Sequence, residues 1–99
     1  MPIVSTSRYI VHHRDPIIAL SRRSRDWHVG QGVGGFEVSI ISTGPMVGQW
    51  LVRVSHADWP AYARLLEVKA TQPDWQALMA EVREHVELLD MTITAVVAL

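Results

Sequence analysis

Apolar positions recur with two different periods along the chain, and this predicts alternating strands and helices. Residues 7–13 are rich in β-formers and predict a first strand. Asp15-Pro16 resembles a helix start, and a helical period continues from there to about His28. The clearest helical period places six apolar residues at the same face: Trp75, Leu78, Met79, Val82, Val86 and Leu89.

Two apolar-rich segments, Phe36–Ile41 and Trp50–Val54, predict a β-hairpin whose loop contains glycine and proline. A hairpin centred on Pro45 sets apolar residues opposite apolar residues and an acid opposite a base, which favours this register. The predicted pairs are Glu37 with Arg53, Val38 with Val52, and Ile40 with Trp50.

The second half of the chain predicts a broken helix followed by a final strand. Asp58 can cap a helix entered through Trp59-Pro60, and Gln72-Pro73 interrupts it. The expected inner face of its first part consists of Trp59, Tyr62, Ala63, Leu66 and Ala70. Met91–Leu99 then predicts a strand with no charge on either face.

This order, β-α-β-β-α-β, predicts one α+β domain over residues 1–99, a ferredoxin-like sandwich with a four-stranded antiparallel sheet. The helices cover one face of the sheet. Because the final strand is uncharged on both faces, we expect a second copy of the sheet to cover the other face. The predicted assembly is a homodimer through the sheet faces, a dimeric α+β barrel.

Composition narrows the possible classes of function. The 99 residues carry a net charge of −1 and only one lysine, so neither nucleic acid nor an anionic membrane is an expected partner. Without cysteine there are no disulfides or thiolate sites. No apolar run approaches the roughly 20 residues of a membrane span, and no signal peptide is recognised, so we expect a cytoplasmic protein.

The segment Gly44–Val82 resembles the second half of dimeric α+β barrel proteins, and NIPSNAP-like members in particular. The likeness includes the turn that restarts the helix, Pro73-Asp74-Trp75-Gln76-Ala77. The resemblance implies a ligand held between the helices and the sheet of each protomer. Its wider superfamily includes cofactor-free monooxygenases, haem-degrading enzymes and lactone isomerases. The Trp, His and Asn set of some oxygenases is not recognisable, because this chain has no asparagine.

Two histidines are candidate catalytic residues. His28 shares the inner face of the first helix with Ser24, and buried polar groups of this kind require partners that a ligand or water can supply. His85 lies at the margin of the last helix, one turn after Glu81, where it could act as a general base. The alternatives are that His28 lies in an exposed loop and that His85 is a solvated edge residue.

Tyr62, Trp75 and Met79 are candidate ligand-binding residues in an aromatic-lined cavity, although such residues also form ordinary cores. Gly30, Gly32 and Gly35 match a dinucleotide motif, but here a helix precedes the glycines and a strand follows them. Adjacent His12 and His13 would point to opposite faces of a strand, so no metal site is predicted. No cofactor is predicted either, and haem is the least favoured.

The leading hypothesis is a small-molecule-binding homodimer of NIPSNAP-like type, with an apolar or aromatic ligand between helices and sheet. The alternative is a cofactor-independent monooxygenase or isomerase that acts on an enolisable aromatic substrate, with His28 or His85 as the general base. A structural or partner-binding module is a third possibility, and it predicts a filled core without a cavity.

Overall fold

The computed structural model describes residues 1–99 and contains four strands and three helices. Their bounds are β1 Ile3–Val11, α1 Arg14–Gly30, β2 Gly35–Ile40, β3 Trp50–His56, α2 Trp59–Thr71, α3 Pro73–Arg83 and β4 Val86–Ala95. The strands form one antiparallel sheet in the order β2-β3-β1-β4. This confirms the ferredoxin-like α+β fold and the break in the second helix at Gln72-Pro73.

The predicted hairpin register is confirmed, with Glu37 opposite Arg53 in the β2–β3 ladder. Gly44 and Gly48 of the connecting loop have φ values of 92° and 89°, which L-residues with a side chain rarely adopt. Glu37 and Arg53 nevertheless form no ion pair, since the only pair that joins two strands is Arg8 with Asp90. The register therefore comes from backbone pairing and apolar contacts rather than from this charge pair.

The predicted boundary between the last helix and the last strand was wrong. The last helix stops at Arg83 instead of continuing to Leu89, and β4 is Val86–Ala95 instead of Met91–Leu99. Val86 and Leu89 fit the helical period of α3, but both residues lie in a strand that pairs with β1 along its full length. The pairing outweighs the local period, because the stability of a strand depends on the neighbours it pairs with. β4 therefore carries the charges of Glu87 and Asp90. An uncharged final strand is no longer a reason to expect a dimer.

Smaller corrections concern the starts of β1 and α1 and the inner face of α2. β1 begins at Ile3 rather than at residue 7, and the residue that precedes α1 is His13, which makes no side-chain capping bond. In α2, Leu65 is buried whereas Trp59 is 54% exposed. The helix therefore turns a different stripe towards the sheet, which includes Tyr62, Leu65 and Lys69.

The packed core is small for a chain of this length. Only 10 of 99 residues are buried, and the central cluster consists of Ile17 and Leu20 from α1 with Leu78 from α3. The chain exposes 6353 Å² of surface, whereas a monomer of its mass exposes about 5,700 Å² by the usual size scaling. The isolated chain therefore exposes more surface than this scaling gives.

Asp58 caps α2, as its sequence position predicts: its Oδ1 accepts a hydrogen bond from the Ala61 amide at 2.8 Å. We expect Asp58→Ala to lower the free energy of unfolding by about 1 kcal/mol, because an orphan helix amide loses its acceptor. Urea unfolding measures this. Asp58→Asn keeps an acceptor and should cost much less, so an equal loss in both variants would contradict the capping role.

Candidate functional site

A cavity of about 130 Å³ lies between the three helices and the sheet. Its walls are mainly apolar, and no aspartate or glutamate lines it. The polar residues that line it come from four different elements: Ser5, Ser7, Tyr9, Ser21, Ser24, His28, His56, Tyr62 and Lys69. A largely apolar cavity with a few convergent polar groups is the usual form of a small-molecule site.

Small side chains in the middle of β1 help to open this space. Alternate residues of a strand face the same side, and Ser5 and Ser7 face the helices where β-branched residues would otherwise fill the interior. Ser5 Oγ lies 3.4 Å from Nε2 of His56 at the end of β3. The serines thus leave room for a ligand and also provide a polar partner for a buried histidine.

His28, near the end of α1, is the most deeply buried polar residue, with 2% exposure. Its Nδ1 lies 2.7 Å from the Ser24 carbonyl oxygen, which can only accept, so Nδ1 carries the proton and donates. Nε2 is then an unprotonated acceptor, and it has no hydrogen-bond partner. Three aromatic rings surround the imidazole of His28. Its ring centroid lies 5.2, 4.9 and 5.1 Å from those of Trp27, Phe36 and Trp75.

The electrostatic surroundings keep His28 neutral. Burial, followed by the positive charge of Lys69, lowers the pKa of His28 to about 4, although the hydrogen bond to Ser24 acts in the opposite direction. At neutral pH the imidazole is therefore uncharged. Its Nε2 can accept a hydrogen bond from a hydroxyl or N–H group but cannot donate one.

Lys69, the only lysine in the chain, lines the same cavity from α2. Its Nζ lies 4.5 Å from the ring centroid of Trp75 and 6.0 Å from that of Trp27, and it has no carboxylate partner. Burial lowers the pKa of Lys69 to about 8. Its charge also helps to lower the pKa of His56, after burial. Lys69 and the two histidines therefore form one electrostatic cluster.

Most of the predicted site residues lie together. Ser24, His28, Tyr62, Trp75 and Met79 all line the cavity. His28 is inside the first helix and not in an exposed loop, because α1 continues to Gly30.

His85 is placed elsewhere. The last helix ends before it, and its Nδ1 lies 3.0 Å from Nδ1 of His13 in an exposed contact between the loops beside β1 and β4. His85 is not among the residues that line the cavity. A general base at this position would not reach a ligand held between helices and sheet.

Sequence reasoning missed Lys69 and His56. Tyr62, Leu65 and Lys69 follow the helical spacing i, i+3 and i+7, so the lysine was detectable as part of an inward face. His56 alternates with Val54 along β3, which also marks an inward position. Both residues fit the periodicity of an inward face, but they are polar, and polar residues are usually assigned to the surface.

No group of three or more His, Cys, Asp or Glu residues is arranged to hold a metal ion. No helix is long and apolar enough to cross a membrane.

The fold is shared with solved structures at low sequence identity. SnoaB, a cofactor-independent oxygenase from Streptomyces nogalater, has a TM-score of 0.71 at 13% identity, covering 99% of this chain and 95% of that one. A NIPSNAP domain protein from Burkholderia xenovorans has a TM-score of 0.75 at 14% identity, covering 97% and 95%. A dimeric ferredoxin-like protein from an uncultured marine organism has a TM-score of 0.68 at 12% identity, covering 98% and 96%.

These likenesses confirm, at the level of the fold, the resemblance to ferredoxin-like α+β barrel and NIPSNAP-type proteins. No protein-family model matches the sequence, and no curated protein shows a significant match. At 12–14% identity the comparisons describe architecture alone. The function of the site depends on its own residues and not on the fold.

Proposed function

We propose that the protein is a homodimer that binds a small apolar or aromatic molecule between the helices and the sheet of each protomer. The observation that carries this proposal is an apolar cavity lined by His28, a histidine whose buried Nε2 has no hydrogen-bond partner. A buried acceptor without a donor costs about 1–3 kcal/mol. A ligand hydroxyl or N–H group would remove that cost, which favours an aromatic ligand with one such group.

The dimensions of the cavity limit the size of the ligand. Its volume is about 130 Å³, and a cavity of about 150 Å³ in another protein binds benzene. The rings of Trp75 and Phe36 line it, and they favour contact with a flat apolar molecule. These features support a ligand with a single aromatic ring.

The excess surface of the isolated chain supports the homodimer. The sheet face away from the helices carries Val4, Ile10 and Leu51 beside the Arg8–Asp90 ion pair, and these three apolar residues are only partly buried. A second copy of the same face would cover them, in a symmetric sheet-to-sheet contact. The ferredoxin-like structure from the marine organism, which has the same fold, is described as dimeric.

A cofactor-independent oxygenase or isomerase is a second candidate, because a neutral acceptor and a cation line the same cavity. A substrate enol or phenol could donate to His28 Nε2 while the charge of Lys69 stabilises the resulting anion. However, a conjugate acid with a pKa of about 4 makes His28 by itself a weak base. Ligand binding is therefore the function that the geometry favours.

The proposal predicts a preference for phenol over toluene, two ligands that differ by one hydroxyl group. We expect phenol to bind about five- to tenfold more tightly, because one hydrogen bond to a buried acceptor contributes about 1–1.5 kcal/mol. Quenching of tryptophan fluorescence measures both affinities, since Trp27 and Trp75 adjoin His28. Native mass spectrometry then reports the assembly, and the expected species is a dimer with two bound ligands. Failure of both compounds to bind would overturn the binding proposal, and a monomer would overturn the homodimer.

A further inference from the structure

Lys69 occupies an unusual position for the only lysine of a protein. Lysine is rarely buried without a partner, because removing an ammonium group from water is costly. Here the side chain lines an apolar cavity in which no carboxylate is present, and its Nζ faces the rings of Trp75 and Trp27. These two rings are the only partners that the structure gives to the charge of Lys69. A desolvated titratable group that lines a cavity is a candidate functional group.

The groups around Lys69 are neutral or able to move protons. His28 faces the cavity from α1, His56 from β3, Tyr9 from β1 and Tyr62 from α2. The ring of Tyr62 lies 5.0 Å from that of His56. Because none of these groups carries a negative charge near neutral pH, none of them stabilises the ammonium form of Lys69 as an ion pair would.

We propose that Lys69 is a nucleophilic amine that forms an imine with the carbonyl group of an aromatic aldehyde or ketone bound in the cavity. This inference rests on the proposed binding function and adds a covalent step to it. The amine nitrogen attacks the carbonyl carbon, the C–N bond forms as the C=O π bond breaks, and one amine proton moves to the carbonyl oxygen, which gives a carbinolamine. The carbinolamine loses its hydroxyl group as water, the C=N bond forms, and no oxidant or reductant is consumed.

The site supplies what this reaction requires. Attack needs a free amine, and the cavity holds no carboxylate that would keep Lys69 protonated. Loss of water is favoured where the surroundings are apolar, as the walls of this cavity are. With a pKa of about 8, roughly one Lys69 amine in ten is free at pH 7, compared with about one in three thousand for an ordinary lysine.

The composition of the chain allows a direct test. The only primary amines are Lys69 and the terminal amine of Met1, a residue that is 70% exposed and provides an internal control. The protein is incubated at pH 7 with benzaldehyde and cyanoborohydride, which reduces the imine to a stable benzylamine. Intact mass and peptide mapping then give the labelling rate of each amine. We expect Lys69 to be labelled at least tenfold faster, and we expect excess benzyl alcohol to slow only Lys69.

Two variants distinguish the reactivity of a lysine in the cavity from that of an exposed lysine. Lys69→Arg keeps the charge but cannot form an imine, so only the terminal amine should be labelled. The double variant Lys69→Arg/Glu67→Lys moves the only lysine to an exposed position on the same helix. Its labelling should be at least tenfold slower than that of Lys69 and insensitive to benzyl alcohol. Equal rates for the wild type and the double variant would overturn the proposal.

A separate measurement distinguishes the two proposals. Calorimetry with benzyl alcohol, which has no carbonyl group, reports binding in the cavity alone. If benzyl alcohol binds but Lys69 is labelled no faster than the terminal amine, the imine is excluded and the binding function remains. If benzyl alcohol and phenol both fail to bind and Lys69 is not labelled selectively, both proposals are overturned.

Discussion

Replacement of His28 by phenylalanine is expected to remove the preference for phenol over toluene. Phenylalanine keeps an aromatic ring among Trp27, Phe36 and Trp75 but has no acceptor. The affinity for phenol should fall at least about tenfold, because its hydroxyl group would then be buried without a partner. The affinity for toluene should not change. The fluorescence titration described above measures both values.

Ser24→Ala is the matched control for this variant. It removes the hydroxyl 3.4 Å from His28 Nδ1 but retains the Ser24 carbonyl, which accepts at 2.7 Å and fixes the tautomer. The phenol preference should therefore persist in Ser24→Ala. A phenol preference that also persists in His28→Phe would show that the bare Nε2 is not what selects the ligand.

Acidification is expected to destabilise the fold by about 3 kcal/mol between pH 6.5 and pH 4, mainly through His28. The pKa of His28 is about 4 in the folded protein and about 6.5 in an exposed histidine. In this pH range the unfolded state therefore binds the proton more tightly, and stability falls as pH decreases through 6.5 and levels off below 4. His56, whose pKa burial also lowers, adds to the effect in the same direction.

Urea unfolding at fixed protein concentration from pH 7 to pH 4 measures this loss. His28→Phe should remove most of the pH dependence in this window, because the titrating group is absent. Lys69→Met should reduce it, since the positive charge of Lys69 is part of what lowers the pKa of His28. Wild-type stability that is unchanged between pH 7 and pH 5 would contradict a buried, neutral His28.

The correct and incorrect predictions differ in how local their signals are. The break at Gln72-Pro73 and the cap at Asp58 depend on residues that are adjacent in sequence, and both were predicted correctly. The hairpin register was also correct, because β2 and β3 are neighbours along the chain and a shift of one residue would turn their apolar side chains to the other face. The position of β4 was predicted wrongly because its pairing partner, β1, lies near the other end of the chain. Thr94 and Val4, which are in contact, are 90 residues apart.

The candidate site shows the same division. The sequence indicated that His28 and Ser24 share a helix face, since a spacing of four residues requires it. It could not show that His85 lies outside the cavity, because that depends on where α3 ends and β4 begins. The spacing of Lys69 from Tyr62 and Leu65 marked an inward position, but a lysine on an amphipathic helix is normally a surface residue, so its type outweighed its spacing.

The sequence by itself determined the order of the elements, the hairpin register and the broken helix. These features depend on backbone preferences and periodicities that act over a few residues. Only the tertiary structure decided the extent of β4, the bare Nε2 of His28 and the inclusion of Lys69 and His56 in one cavity. Those features depend on which distant segments exclude water together, and burial is a property of the assembled fold rather than of any segment.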